Sequence, residues 1–242
     1  MNLKREYWII LIVYIAMQLS SLIGIPGMMF LFGYLGMNQG LVVPYWLIFS
    51  FTLALVIILF LLRTEMKKPG LNERGSSFGF AATWAVFGVF LALFAQGLAA
   101  NIERLIGVEM GSENTQQILN IIESFPLAIL VSSVIGPILE EIVFRKIIFG
   151  TLHKRFNFFL SALISSVIFA LAHMEPQHLL LYSAMGFTFA FLYVKTKHIL
   201  VPIFAHVAMN TLVVVIQSVY KDEIDEIIRE AEGIQNFIGG FL

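Results

Sequence analysis

Long apolar runs fill this chain, and short stretches between them hold most of its polar and charged residues. Seven runs stand out, at roughly 7–30, 42–63, 78–101, 124–148, 157–173, 177–195 and 199–219. A membrane-crossing α-helix needs about 20 predominantly apolar residues, and most of the runs approach that length. None shows the alternating pattern of a barrel strand. A backbone in lipid must satisfy its own polar groups, so helices are expected throughout. The pattern predicts an all-α fold, a polytopic transmembrane helical bundle of about seven spans, with six to eight as the range. No repeat or low-complexity tract marks an internal boundary, so residues 1–242 read as one transmembrane domain.

The two ends need separate reading. Lys4 and Arg5 precede the first run, which starts at Tyr7. That run is too long for a signal-peptide core and is followed by no small-residue cleavage site, so it reads as a first span. Residues 220–242 form a tail with a strongly acidic start at Asp222, Glu223, Asp225 and Glu226. Ile224, Ile227 and Ile228 fit either a surface-lying amphipathic helix or a frayed polar tail.

Composition agrees with the pattern. Hydrophobic residues make up 59% of the chain and charged residues 13%, against about 25% charged in soluble domains. The formal net charge of -1 gives no reason to expect a nucleic-acid partner. Cysteine is absent, which excludes disulfides and thiolate metal sites and leaves His, Glu, Asp or Asn as possible ligands.

Basic residues suggest an orientation. Lys4 and Arg5, then Arg63, Lys67, Lys68 and Arg74, then Lys146, Lys154 and Arg155, then Lys195 and Lys197 all fall on one side if every run crosses once. The 32–41 connection has no Lys or Arg, and the 102–123 connection sets Arg104 against Glu103, Glu109, Glu113 and Glu123. The positive-inside rule then puts the N-terminus in the cytoplasm and the C-terminus outside. The short chain and minimal loops suit a multi-pass protein of a prokaryotic plasma membrane.

Ionisable residues within a span are costly and are functional candidates. The fourth run carries Glu140, Glu141 and Arg145, the fifth ends with Phe169 and His173, and the seventh carries His206 and Asn210. Glu141 and Arg145 are four apart with the acid first, so they share a helix face and can pair. Glu140 is turned by about 100° from Glu141 on an α-helix and can face something else. His206 and Asn210 also share a face. Such a set suits peptide hydrolysis, which needs an activated water, a base and donors for the oxyanion. Glu and His can position and deprotonate the water, while a second His and an Asn amide stabilise the developing charge. Alternatively Glu140, Glu141, His173 and His206 include enough ligands for a divalent metal such as zinc. The residues alone leave both schemes open. Glu175 and His178 read as interfacial polar residues, and His153 and His198 as solvated flanks of cytoplasmic turns. Close packing by small residues accounts for the Gly- and Met-rich stretch at 24–40.

These residues also stand in a known order. Glu140-Glu141-x-x-x-Arg145, Phe169-x-x-x-His173 and His206-x-x-x-Asn210 resemble the three motifs of the CAAX-protease and bacteriocin-processing family, which includes the type II CAAX prenyl endopeptidases. They occupy a motif-bearing core at about 124–219. The resemblance implies an intramembrane endopeptidase with Glu140 as base, His173 binding the water or a metal, and His206 and Asn210 at the oxyanion, or His206 as a metal ligand. It implies that Glu141, Arg145 and Phe169 shape the site. The family is described both as metallo- and as glutamate-type, so the cofactor stays open. Its substrates include lipidated CAAX proteins and peptide precursors of the bacteriocin or pheromone kind. Two other classes fit buried Glu, His and Arg. One is an ion- or proton-coupled transporter, which would dissipate a pH gradient without cutting a peptide. The other is a non-catalytic peptide-binding or immunity scaffold, whose phenotype would survive Glu140→Ala.

Overall fold

The computed structural model describes residues 4–66 and 77–220, with Glu226. Eight helices follow in order: α1 (Arg5–Leu35), α2 (Val42–Met66), α3 (Phe78–Leu105), α4 (Glu113–Ser124), α5 (Pro126–Leu152), α6 (Phe158–Leu171), α7 (Leu179–Thr196) and α8 (Leu200–Val219). No strand occurs among the described residues. The 67–76 segment with Lys67, Lys68 and Arg74 lies outside them, as does the expected 220–242 amphipathic tail beyond Tyr220 and Glu226.

Six helical segments are long and apolar enough to cross a membrane. The fifth expected run is different. Helix α6 has 14 residues, or about 21 Å of rise, against a hydrocarbon core of about 30 Å. It stops because the chain turns through Ala172–Glu175, where Met174 takes a left-handed φ of 59°. Helix α4 was also unforeseen, since its Gln, Asn and Glu residues read as a connection.

Polar caps set several boundaries. Ser77 Oγ accepts from the Phe80 N–H to start α3, Ser112 Oγ from Thr115 to start α4, and Asn157 Oδ1 from Leu160 to start α6. Each cap meets one of the orphan N–H groups of a helix start. Gly36, with φ of 68°, closes α1 in the left-handed conformation.

The core gathers around α5. Helices α3, α6 and α8 pack on α7, α1 packs on α2, and α5 touches α1, α2, α6, α7 and α8. Leu139, Ile147, Phe169, Phe189, Leu192 and Ala205 are fully buried there. Phenylalanines such as Phe30, Phe90, Phe94 and Phe159 point outward, as a lipid-facing surface requires.

Helix α5 is not a uniform α-helix. A 3₁₀ turn at Pro126–Ala128 leads into a π-helical stretch at Val131–Ile135, an α-turn at Gly136–Glu140 and a second π-helical stretch at Glu141–Phe149. Wide π turns mark functional segments more often than chance. A Cβ at Gly136 would lie 3.0 Å from the Val131 carbonyl oxygen, so a larger residue at this transition between windings would press on the backbone. Ser165 Oγ on α6 donates to the Phe144 carbonyl at 2.8 Å and fastens α6 to the second stretch.

Helices α6 and α7 meet at Gly186. A Cβ there would lie 2.9 Å from Ser166 Cβ and 3.0 Å from its Cα. Gly186→Ala should therefore lower stability by about 1–3 kcal/mol through overpacking. Gly97→Ala on α3, where a Cβ meets nothing within 4 Å, should be neutral or slightly stabilising. Denaturant titration in detergent compares the two, and equal effects would contradict the close approach.

Candidate active site

Three helices bring the motif residues together. From α5, Glu141 is fully buried and its carboxylate faces two ways. Oε1 accepts from His206 Nδ1 on α8 at 2.9 Å, and Oε2 lies 3.1 Å from Arg145 Nε. A carboxylate can only accept, so His206 carries its proton on Nδ1 and turns Nε2 toward Glu140 Oε2, 3.7 Å away. That gap is too long for a hydrogen bond but short enough for one small movement to close.

Arg145 sits 1% exposed, and its angles to Glu141 miss hydrogen-bond geometry at every guanidinium nitrogen. Aromatic faces hold it instead. Its Cζ lies 4.3 Å from the Phe169 ring centroid and 5.3 Å from that of Phe189. Phe189 also stacks on His206 at 4.6 Å. The guanidinium is thus compensated by one carboxylate and two ring quadrupoles.

His173 stands at the end of α6. Its Nδ1 lies 2.9 Å from the Phe169 carbonyl, so that nitrogen donates and Nε2 remains the acceptor of a neutral ring. Tyr182 stacks on it at 4.0 Å, and Phe169 packs edge-on at 4.6 Å. Asn210 makes one long contact, from Nδ2 to the Ser132 carbonyl at 3.5 Å.

Two cavities adjoin this group. One of about 260 Å³ is lined by His173, His206 and Asn210 from the α3 and α8 side. The other, about 360 Å³, is lined by Glu140, His173 and Asn210 together with α1 and α2. Asn114, Ile118, Ser132, His173 and Asn210 line both, so they form the shared wall. Glu140 is the more open of the two acids, with 19% of its side chain exposed.

The sequence pairings therefore meet in space: Glu141 with Arg145, Phe169 with His173, and His206 with both glutamates. Among the described residues no three His, Asp or Glu side chains converge to hold an ion. His206 and His173 commit Nδ1 to Glu141 and to a backbone carbonyl, and Glu141 turns its second oxygen to Arg145.

Glu175 and His178 are not water-facing. Both are 6% exposed and tie the turn between α6 and α7 to α3 and α4. His178 sets Nδ1 at 2.9 Å from Glu103 Oε2 and Nε2 at 2.8 Å from the Gly111 carbonyl, while Glu103 Oε1 accepts from the Leu181 N–H. Glu175 accepts from Tyr182, Ser112 and the Asn114 N–H. Burial raises its carboxyl pKa, but these hydrogen bonds outweigh it and hold the group below its ordinary 4.5. Sequence reasoning counts Glu103 only among the acids of the 102–123 connection and misses its buried partners. Its only signal was an acid close to the end of an apolar run.

Comparison with known proteins bears on the same residues. Residues 122–212 match the family described as Type II CAAX prenyl endopeptidase Rce1-like, a stretch that holds every motif residue named above. Over 225 residues the chain is 52% identical to "Putative membrane peptidase YdiL" of Bacillus subtilis (strain 168), covering 89% of this chain and 90% of that one. Over 162 residues it is 35% identical to "Membrane-embedded CAAX protease MroQ" of Staphylococcus aureus (strain USA300), 64% of each chain. No solved structure matches.

Two outcomes follow from the buried charges. Glu141→Ala strands a buried guanidinium and should cost about 3–5 kcal/mol, whereas adding Arg145→Met should recover much of that loss. Chemical unfolding of the single and double variants measures the difference, and a double variant as unstable as the single one contradicts the pairing. For Glu175, the lowered pKa fixes the sign. Its stabilisation is complete above the unfolded carboxyl value and is lost as pH falls through the lower native value. The protection factor of the Asn114 amide against hydrogen exchange should fall in acid for the parent and lose that acid dependence in Glu175→Gln.

Proposed function

Because this chain belongs to the CAAX-protease and bacteriocin-processing family of membrane peptidases, we propose that it is an endopeptidase that hydrolyses a peptide bond in a membrane-associated or lipidated peptide, with Glu140 as the base. The observation that carries this reading is the contrast between two adjacent acids. Glu141 is sealed against Arg145 and His206, while Glu140 borders a cavity that also presents His173 and Asn210.

In this reading a water sits between the Glu140 carboxylate and His173 Nε2. Glu140 takes one proton as the water oxygen attacks the scissile carbonyl carbon. The carbonyl π pair moves to oxygen, and Asn210 Nδ2 donates to that oxyanion. His206 joins it when protonated on both nitrogens, since Nδ1 stays with Glu141 and Nε2 faces the cavity. Collapse of the tetrahedral intermediate re-forms the carbonyl and breaks the C–N bond, and the proton held by Glu140 passes to the leaving amine. Products are a carboxylate-terminated and an amine-terminated peptide, and Glu140 returns to its ionised form. Glu141, Arg145 and Phe169 act by orienting His206 and His173. Every step here uses the chain's own residues, and among the described residues no three His, Asp or Glu side chains are grouped as a metal site.

The N-terminus reads as cytoplasmic and, with the short α6 crossing as a seventh span, the C-terminus as external, in a bacterial plasma membrane. The side on which the basic residues then gather supports the orientation, and the bacterial source of the relatives supports the membrane.

The test is cleavage by purified protein in liposomes, offered a panel of prenylated CAAX peptides and membrane-associated peptide precursors. Glu140→Gln should reduce the rate by about 10²-fold or more with an unchanged unfolding midpoint. A cut that survives Glu140→Gln contradicts the base, and a cut abolished by a chelator overturns the metal-free scheme.

A further inference from the structure

Helix α1 carries polar groups that the reaction above does not use. Tyr14, Gln18 and Ser21 are spaced by four and three residues, so they share one face. All three line the 360 Å³ cavity that holds Glu140. The Tyr14 oxygen accepts from Gln18 Nε2 at 3.2 Å, and its own proton has no acceptor among the described residues. Gln18 is exposed although it lies near the midpoint of a 31-residue apolar helix. Hydrocarbon offers an amide no partner at that depth, so an exposed glutamine there is costly unless something polar covers it.

The rest of the lining narrows what that cover is. Apart from Glu140, every side chain around this cavity is uncharged, and Ser132 and Asn210 continue the row of neutral hydrogen-bonding groups toward the acid. An extended peptide in a bilayer has the complementary need, because its backbone N–H and C=O groups are unpaired until they meet such a wall. An isoprenoid chain has no such groups and would leave the Gln18 amide and the Tyr14 hydroxyl unpaired.

We infer that α1 is the substrate-binding wall: Tyr14, Gln18 and Ser21 hydrogen-bond the backbone of an extended, unlipidated peptide stretch and hold it beside Glu140. This rests on the proteolytic reading of the cavity and adds the chemical class of what occupies it. The wall lies outside residues 122–212, the part matched to the family. Recognition and bond cleavage thus come from different parts of the chain.

Trp46 lines the same cavity and supplies a binding signal. The ligand is a short nitroxide-labelled peptide of Ala, Leu and Ser, added to Glu140→Gln protein in phosphatidylglycerol liposomes. Tryptophan quenching should saturate, and Trp46→Phe should remove the saturable part. Tyr14→Phe and Gln18→Leu should each weaken binding by about three- to tenfold, the worth of one hydrogen bond. N-methylation of the peptide amide that meets Gln18 should cost as much in the parent and nothing further in Gln18→Leu. A merely structural role for Gln18 would not produce that non-additivity. In the active protein the same variants should raise KM and leave kcat within about twofold. Unchanged affinity in both variants overturns the inference, as does farnesol that displaces the peptide and binds Gln18→Leu more tightly. If the peptide binds as described but wild-type protein cuts nothing, the protease reading fails and the wall stands. If cleavage occurs and ignores α1, the reverse holds.

Discussion

The site depends on one carboxylate. Glu141 ties α5 to α8 through His206 and balances the buried charge of Arg145 on its own helix. Removing either partner leaves an unpaired charge where water cannot reach, so the pair fixes geometry more than it adds stability. Arg145 fits because the faces of Phe169 and Phe189 replace the water it has lost. The same two rings also pack against His173 and His206. Charge compensation and histidine orientation are therefore a single packing problem, solved by four helices together. The outcome is two neighbouring glutamates with divergent environments, a pattern that separates a structural acid from a reactive one.

Much of this could be read from residue order. Bilayer thickness imposes length and apolarity on every crossing segment, so six of the seven expected runs became long helices. The polar residues inside those runs were conspicuous against an apolar background, and the four-residue spacing within each motif gave the Glu141–Arg145 pairing. What stayed hidden depends on partners distant in sequence. The π winding of α5 involves the close approach at Gly136 and Ser165 reaching across from α6. Glu175 meets Ser112 and Asn114, and His178 meets Glu103, across more than 60 residues. Sequence displays polarity but not who answers it, which is why Glu175 and His178 read as interfacial polar residues. Gln18 was invisible for a related reason. One amide barely changes the hydropathy of a 31-residue helix.

The turn at the end of α6 shows how irregular backbone survives inside a membrane protein. Its neighbourhood is stitched by carboxylates that accept main-chain N–H groups, Glu103 from Leu181 and Glu175 from Asn114. Non-helical backbone at membrane depth is tolerated where protein surrounds it. His173 inherits its position from that stitching through Tyr182, whose ring lies on the imidazole while its hydroxyl is held by Glu175.

A helix of 14 residues packed against neighbours of 18 and 27 has a mechanical consequence. Lipid next to α6 meets a hydrophobic wall about 9 Å shorter than an average hydrocarbon core. The bilayer must thin there or strain against the turn, at a fraction of a kcal/mol per Å of mismatch. Acyl-chain length thereby becomes a force on the segment that carries His173. The thickness of the host membrane is therefore an input to this site.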